Sequence, residues 1–340
     1  MKEKQHSPSF FGPLVLIGIG VFWLLSNFGI SPTINWEGLF QVWPVFLIFL
    51  GVNLIVRNIR PPLGSTLSGL VGLAALGFAA MVLFAPTMIP FTDRAQEVTV
   101  VKREPLIIEQ GEARSAEILI ETGIAGADIT VLPQGSNIVQ GDVSYINRLE
   151  KSYELDGTSE AKVRIGSESG SWFMNPANWR NLSIEKWQLG INGELPTELR
   201  VDSGTGAISL DLRGADLTYL DVDSGTGAVT AYLPQGEYDL NVDTGTGAST
   251  WYLPGSGRGE YSFDTGTGAI RLYIPDGMEA RIEIDSGTGG FRADDRFTLI
   301  EGERRDGVWQ TADYERAANR LDIEIDSGTG GVSVERSTGR

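Results

Sequence analysis

Six near-identical tetrapeptides constrain this chain more than any other feature. Ser203-Gly204-Thr205-Gly206, Ser224-Gly225-Thr226-Gly227, Thr244-Gly245-Thr246-Gly247, Thr265-Gly266-Thr267-Gly268 and Ser286-Gly287-Thr288-Gly289 recur at intervals of 21, 20, 21 and 21 residues. Ser327-Gly328-Thr329-Gly330 follows 41 residues later, about two periods on. Gly123-Ile124-Ala125-Gly126-Ala127-Asp128-Ile129 looks like a degenerate copy, with Gly126 lying 80 residues before Gly206. A fixed period of this length marks a repeat architecture, in which one unit cannot bury its own apolar face and neighbours must stack to do so.

Within each unit the flanks alternate with period two, as half-buried strands do. Ile208, Leu210 and Leu212 face one way after the first corner, and Val229, Ala231 and Leu233 after the second. Ser249, Trp251 and Leu253, then Ile270, Leu272 and Ile274, repeat the pattern. Leu220 with Val222, Leu240 with Val242, Tyr261 with Phe263, and Ile282 with Ile284 lead into the next corners. Turns such as Leu233-Pro234-Gln235-Gly236 close the other end. Two strands and two turns in about 20 residues make one rung, so the expected fold is a β-solenoid or stacked β sheet. At the corners, Gly204, Gly206, Gly225, Gly227, Gly245, Gly247, Gly266, Gly268, Gly287, Gly289, Gly328 and Gly330 are expected to adopt positive φ. The preceding aspartates are expected to accept hydrogen bonds from the turn amides.

Asp202, Asp223, Asp243, Asp264 and Asp285 would then form a column with neighbours ~4.8 Å apart. Unit charges at that distance repel by about 0.9 kcal/mol even in water, so compensation is expected. Turn amides are the simpler source; a Ca²⁺ column along these aspartates is the alternative, since calcium takes carboxylate and carbonyl oxygens. The motif also matches the short Asp-Thr-Gly signature of aspartic proteases, but those use one copy per lobe and not six at rung spacing. Tyr232, Tyr252 and Tyr273 occupy equivalent outward positions on three successive rungs, which suits a stacked aromatic ladder or a sugar-binding platform. Trp172, Phe173, Trp179 and Trp187 crowd the segment before the regular rungs, and residues 292 to 320 hold a charged loop with Trp309. Such loops cap the ends of a stack or bind a partner.

Three apolar runs precede the repeats: 10–30, 39–56 and 63–84, each free of charge and close to the ~20 residues that span ~30 Å of hydrocarbon. The first is too long for a signal-peptide core and no small-x-small site follows it. Three membrane helices are therefore expected in a domain covering 1–90, with a repetitive β domain at 91–340. Lys2 and Lys4, with Arg57 and Arg60, place the amino terminus in the cytoplasm and the β domain outside. Gln41 and Asn53 in the second run suit hydrogen bonding between helices, and Gly64, Ser68 and Gly72, with Ser65 and Gly69, suit close helix contact.

Charge and residue types exclude several functions. Residues 1–95 hold five basic and three acidic residues, about +2, so the remainder of a chain of net charge −17 carries about −19. Nucleic acid is thereby excluded as a partner. There is no cysteine, and the one histidine is His6, so no Ser-His-Asp, Cys-His or histidine-metal site exists in the repeats. No enzyme activity and no cofactor are expected.

Trp187-Gln188-Leu189, the run from Leu195 to Gly206 and Leu210-Asp211-Leu212 with Leu217 and Leu220 resemble the toast-rack β domain of LiaF-like envelope-stress proteins and related adhesin-type domains. Gly12-Pro13-Leu14, Trp43-Pro44-Val45-Phe46-Leu47-Ile48 and Arg57 resemble their membrane region. The resemblance implies a non-catalytic regulator or scaffold in sensing cell-wall damage. It implies the lipid bilayer and another envelope protein, such as a membrane histidine kinase, as partners, with homo-oligomers a further expectation. A surface module binding glycans or divalent cations is the alternative. No residue is carried over from the family as a functional site.

Overall fold

A computed structural model describes residues 42–57, 63–84, 101–133, 135–146, 148–168 and 186–337. The expected first helix, Gln41, the domain boundary near residue 90, and Trp172, Phe173 and Trp179 lie outside these residues. The described chain falls into a helical unit and a β unit, each taken by itself.

The helical unit contains α1 (Trp43–Arg57) and α2 (Leu63–Phe84). Val42 and Val82 are buried together with Val45, Phe46 and Phe78 around them. Further along, Ser68 Oγ donates to Asn53 Oδ1 at 2.5 Å. Early residues of α1 thus meet late residues of α2, and the pair is an antiparallel hairpin. Asn53 does join the two helices, as its place in an apolar run suggested. Among the described residues, nothing lies within 4 Å of a Cβ built on Gly69. The second helix begins at Trp43 and not at residue 39. Leu47, Ile48, Leu50, Leu54, Ile55, Leu70 and Leu73 are all more than half exposed, an apolar surface far beyond what a water-facing hairpin carries. Among the described residues, no helix is long and apolar enough to cross a membrane.

Among the described residues the β unit has 22 strands. They begin with β1 (Lys102–Glu109), β2 (Ser115–Gly123), β3 (Ala127–Val131), β4 (Asn137–Tyr145), β5 (Arg148–Leu155), β6 (Glu160–Glu168) and β7 (Trp187–Ile191). The repeats supply β8 (Thr197–Ser203), β9 (Ile208–Asp211), β10 (Leu217–Ser224), β11 (Val229–Tyr232), β12 (Gly236–Glu237), β13 (Asp239–Thr244), β14 (Ser249–Tyr252), β15 (Gly257–Thr265) and β16 (Ile270–Pro275). The last are β17 (Glu279–Ser286), β18 (Phe291–Arg292), β19 (Phe297–Gly302), β20 (Asp306–Thr311), β21 (Arg320–Ser327) and β22 (Val332–Ser337).

Two sheets face each other across one core. One runs β1-β4-β7-β3-β9-β11-β14-β16-β22-β18, the other β19-β20-β17-β21-β15-β13-β10-β8-β2-β6-β5. Each Gly-x-Gly corner carries the chain from the second sheet to the first, and successive rungs pair in parallel, Val222 beside Val201 and Val242. The alternating apolar residues fill the core: Leu220, Val222, Leu240, Val242, Ile282 and Ile284 are at most 1 % exposed. Full burial of each such side chain contributes roughly 1.5–3 kcal/mol over leaving it in water. Trp251 stands edge-on to Phe263 at 5.5 Å in the middle of this core.

Spatial order departs from chain order at two places: β2–β3 lies between β6–β7 and β8–β9, and the last rung is inserted out of turn. The rung β21–β22, built around Ser327-Gly328-Thr329-Gly330, lies between β15–β16 and β17–β18. After β18 the chain therefore makes the antiparallel hairpin β19–β20 and a 3₁₀ turn at Tyr314–Arg316, then returns to insert its last rung one position back.

Both ends of the stack are irregular. At one, β4 pairs antiparallel with β1 and β7, and Trp187 sits fully buried, its indole N–H donating to the Ser144 carbonyl at 2.7 Å. At the other, β20 covers β17 in antiparallel register.

Candidate functional site

The corners differ from expectation in how the glycines work. None of the glycines in the six Gly-x-Gly corners has positive φ, although Gly123 of the degenerate copy does (+65°); among the repeats the positive values fall on the opposite turns, at Gly214 (+93°), Gly236 (+143°), Gly257 (+126°) and Gly277 (+90°). What the corners require is closeness. A Cβ on Gly227 would lie 1.9 Å from the Gly206 carbonyl oxygen, one on Gly247 1.8 Å from that of Gly227, and one on Gly289 1.8 Å from that of Gly330. Gly268 and Gly330 make the same approach at 1.8 and 1.6 Å.

Corner amides also bond differently. Gly225 N–H donates to the Ser203 carbonyl at 2.9 Å, Gly245 to Ser224 at 2.9 Å and Gly266 to Thr244 at 3.0 Å. Thr226, Thr246 and Thr267 amides reach the glycine carbonyls of the preceding rung in the same way. These amides continue the ladder around the corner and do not bond the aspartates. Asp223 sits between inward Val222 and inward Ser224, so alternation turns it outward. The group that satisfies the corner is the buried hydroxyl sequence reasoning passed over: Ser203, Ser224, Ser286 and Ser327 Oγ donate to the carbonyls of Gly206, Gly227, Gly289 and Gly330 at 2.8–3.1 Å. Its signal was present, because Ser224 continues the phase of Leu220 and Val222.

Outward of the corners runs a file of carboxylates longer than the repeats indicated. Register pairs Glu121 with Asp202, then Asp223, Asp243, Asp264, Asp326, Asp285 and Asp306. Partial burial and the neighbouring Glu121 push the Asp202 carboxyl above the usual carboxylate range, and burial with Asp202 and Asp221 does the same for Asp223. Among the described residues no group of three or more His, Cys, Asp or Glu is placed to hold a metal. Carboxylates in single file, one per strand, do not converge on a point.

On the other sheet the tyrosine ladder is formed as the spacing indicated. Tyr232 and Tyr252 stack at 4.4 Å and 5°, Tyr252 and Tyr273 at 4.7 Å and 9°. Arg213 lies 4.9 Å over the outer face of Tyr232 and is itself tied to Asp211, whose carboxyl it holds below the usual range. Five of the six ring faces are thus set against each other or under a guanidinium. Trp309 packs at 5.4 Å against Phe291 and joins the core from β20, which puts it in the covering of one end. A pocket lined by Val131, Leu132, Asn192, Gly193, Glu194 and Gly214 holds 190 Å³, below the roughly 300–1,000 Å³ of small-molecule sites.

An apolar helical hairpin in one unit and corner-sharing stacked rungs in another, with carboxylates and aromatics arrayed in files, define a membrane-associated β-repeat protein. The comparisons refine this class. The LiaF transmembrane domain matches residues 11–94, and the N-terminal domain of toast_rack matches residues 96–252. Neither is a family of enzymes. The two matches together are consistent with a LiaF-like protein that carries a toast-rack β domain. A crystal structure of a proposed cell adhesion protein from Clostridium sporogenes ATCC 15579 shares the fold, with TM-score 0.52 and 21% identity over 70% of this chain and 100% of that one. None of the curated proteins matches.

Proposed function

We propose that this chain is a non-catalytic, membrane-anchored regulator or scaffold of the envelope stress response, acting through protein contacts of its β domain. The observation that carries this reading is the filled interior. Buried apolar side chains of the two sheets form one continuous core between them, so what the rungs offer a partner is outer surface, and that surface carries a regular file of carboxylates. The lipid-like exterior of the α1–α2 hairpin supports an anchor of three spans covering about residues 1–90, with a cytoplasmic amino terminus and an extracytoplasmic β domain. A membrane histidine kinase is the partner the LiaF resemblance favours. Crosslinking from cysteines placed along the Asp223 face in intact membranes is expected to capture a sensor kinase; recovery of no kinase overturns the reading. Protease should reach the β domain in intact cells once the wall is opened, and complete protection would reverse the topology.

A second reading, a surface module that binds glycans or divalent cations, is favoured by the fold shared with the Clostridium protein. It requires the melting temperature of the chain to rise with Ca²⁺ or wall glycans. A flat titration removes it.

A further inference from the structure

We infer that the out-of-order rung β21–β22 is exchangeable, and that the slot it fills can take the same segment, residues 320–337, from a second copy of the chain. Three observations lead there. First, the slot is a complete strand-binding site. On one sheet β15 and β17 flank it, each pairing in parallel with β21 over eight residues, Arg258–Thr265 and Glu279–Ser286 against Arg320–Ser327. On the other sheet β16 and β18 flank β22. An empty slot would expose two facing rows of unpaired backbone groups, which bind an added strand of matching register.

Second, the occupant is specified by the corner. A Cβ on Gly330 would come within 1.6 Å of the Gly268 carbonyl oxygen, and one on Gly289 within 1.8 Å of that of Gly330. Whatever enters must carry Gly-x-Gly at its corner, a buried hydroxyl before it and inward apolar residues at Leu321, Ile323, Ile325, Val332 and Val334, all at most 2 % exposed. A second copy of this chain meets all of these.

Third, the slot is closed by side chains. Arg296, in the segment after β18, donates to the Ile274 and Pro275 carbonyls at the end of β16, at 3.0 and 3.2 Å, and pairs with Asp294 at 2.8 Å. Because β22 lies between β16 and β18, that reach crosses the end of β22. Arg336 on β22 is tied to Asp276 on one side at 3.1 Å and to Asp295 on the other at 3.7 Å. Ion pairs form this clasp, so opening it breaks no covalent bond. Mutual insertion of the last rung then gives a two-fold, strand-exchanged dimer.

The absence of cysteine makes the test direct. Detergent-solubilised full chains carrying Ser262→Cys alone and Glu324→Cys alone, residues that are register partners on β15 and β21, are mixed, partly unfolded, refolded together and oxidised. A disulfide-linked dimer is expected, with a severalfold higher yield when both copies also carry Arg296→Ala. The Arg271→Cys and Ser333→Cys pair, partners on β16 and β22, gives an independent second reading should the first pair disturb folding. The inner pair Asp221→Cys and Asn241→Cys should give no linked dimer, because those rungs are held on both sides within one chain. Failure of both exchange pairs to link refolded copies overturns the inference, as does equal linking at the inner pair.

Discussion

A corner and a far turn on neighbouring rungs use glycine for opposite reasons. At the Gly-x-Gly corner, Gly247 has ordinary backbone angles and no room: the Gly227 carbonyl oxygen stands 1.8 Å from where its Cβ would be. At the far turn, Gly277 has φ +90° and nothing within 4 Å. One glycine is there because the neighbouring rung comes close, the other because the chain turns left-handed. Gly247 therefore belongs to the stack and Gly277 to its own rung, while the turn residue Gly257 answers to both, with φ +126° and the Gly236 carbonyl oxygen 1.7 Å from its Cβ position.

Substitutions can break this contrast. Gly247→Ala should have the largest effect, a loss of about 4 kcal/mol or outright failure to fold, because backbone presses from the next rung and the corner ladder must separate. Chemical denaturation measures it, and a loss below ~1 kcal/mol would show that the rungs can part without cost. Gly277→Ala should cost about 1–2 kcal/mol from left-handed strain alone, with Gly277→Asn milder. If alanine were as damaging here as at Gly247, the distinction would fail. Ser224→Ala removes the buried hydroxyl that donates to the Gly227 carbonyl and should cost about 1 kcal/mol, with Ser224→Thr close to neutral since Thr265 occupies the equivalent place.

The smallest effect is electrostatic. Asp202 and Asp223 have folded-state pKa values raised above the ordinary 3.8, so the folded chain binds protons more readily than the unfolded one. Their protonated forms favour folding below that value, and this contribution is lost as pH rises through the raised values. Asp223→Asn should flatten the decline of stability across this acid range and leave the curve near neutrality parallel. Added salt should act in the same direction by screening the file. Stability that rises with pH through this window, and is steepened by the substitution, would contradict the assignment.

Much of the β unit was legible in the residues. Period two placed Leu220, Val222, Leu240 and Val242 in the core, and the ~20-residue period set Tyr232, Tyr252 and Tyr273 side by side. The stacking of these rings was readable too, since strand spacing and aromatic stacking distance nearly coincide. The position of the last rung was not. Phe263-Asp264-Thr265, Ile284-Asp285-Ser286 and Ile325-Asp326-Ser327 present the same inward and outward chemistry, so nothing local says which stacks on which. The role of the corner glycines was misread for a related reason: conformational freedom is a property of one residue, whereas crowding by Gly206 or Gly227 exists only once a neighbour is in place. Asp306 and Glu121 were missed from the acidic file because they lie outside the repeat and join it through register.

That file has a consequence for the solution around the protein. Two unit charges in water interact by RT at a separation of ~7 Å, and the carboxylates follow one another at ~4.8 Å. A line of charge denser than that limit gathers mobile cations along its length, as a nucleic-acid strand does. The outer face of the rungs is then a short, rigid polyelectrolyte. Its effective charge is set by the ionic atmosphere drawn to it, so any basic partner that approaches must first displace small ions and is rewarded by their release.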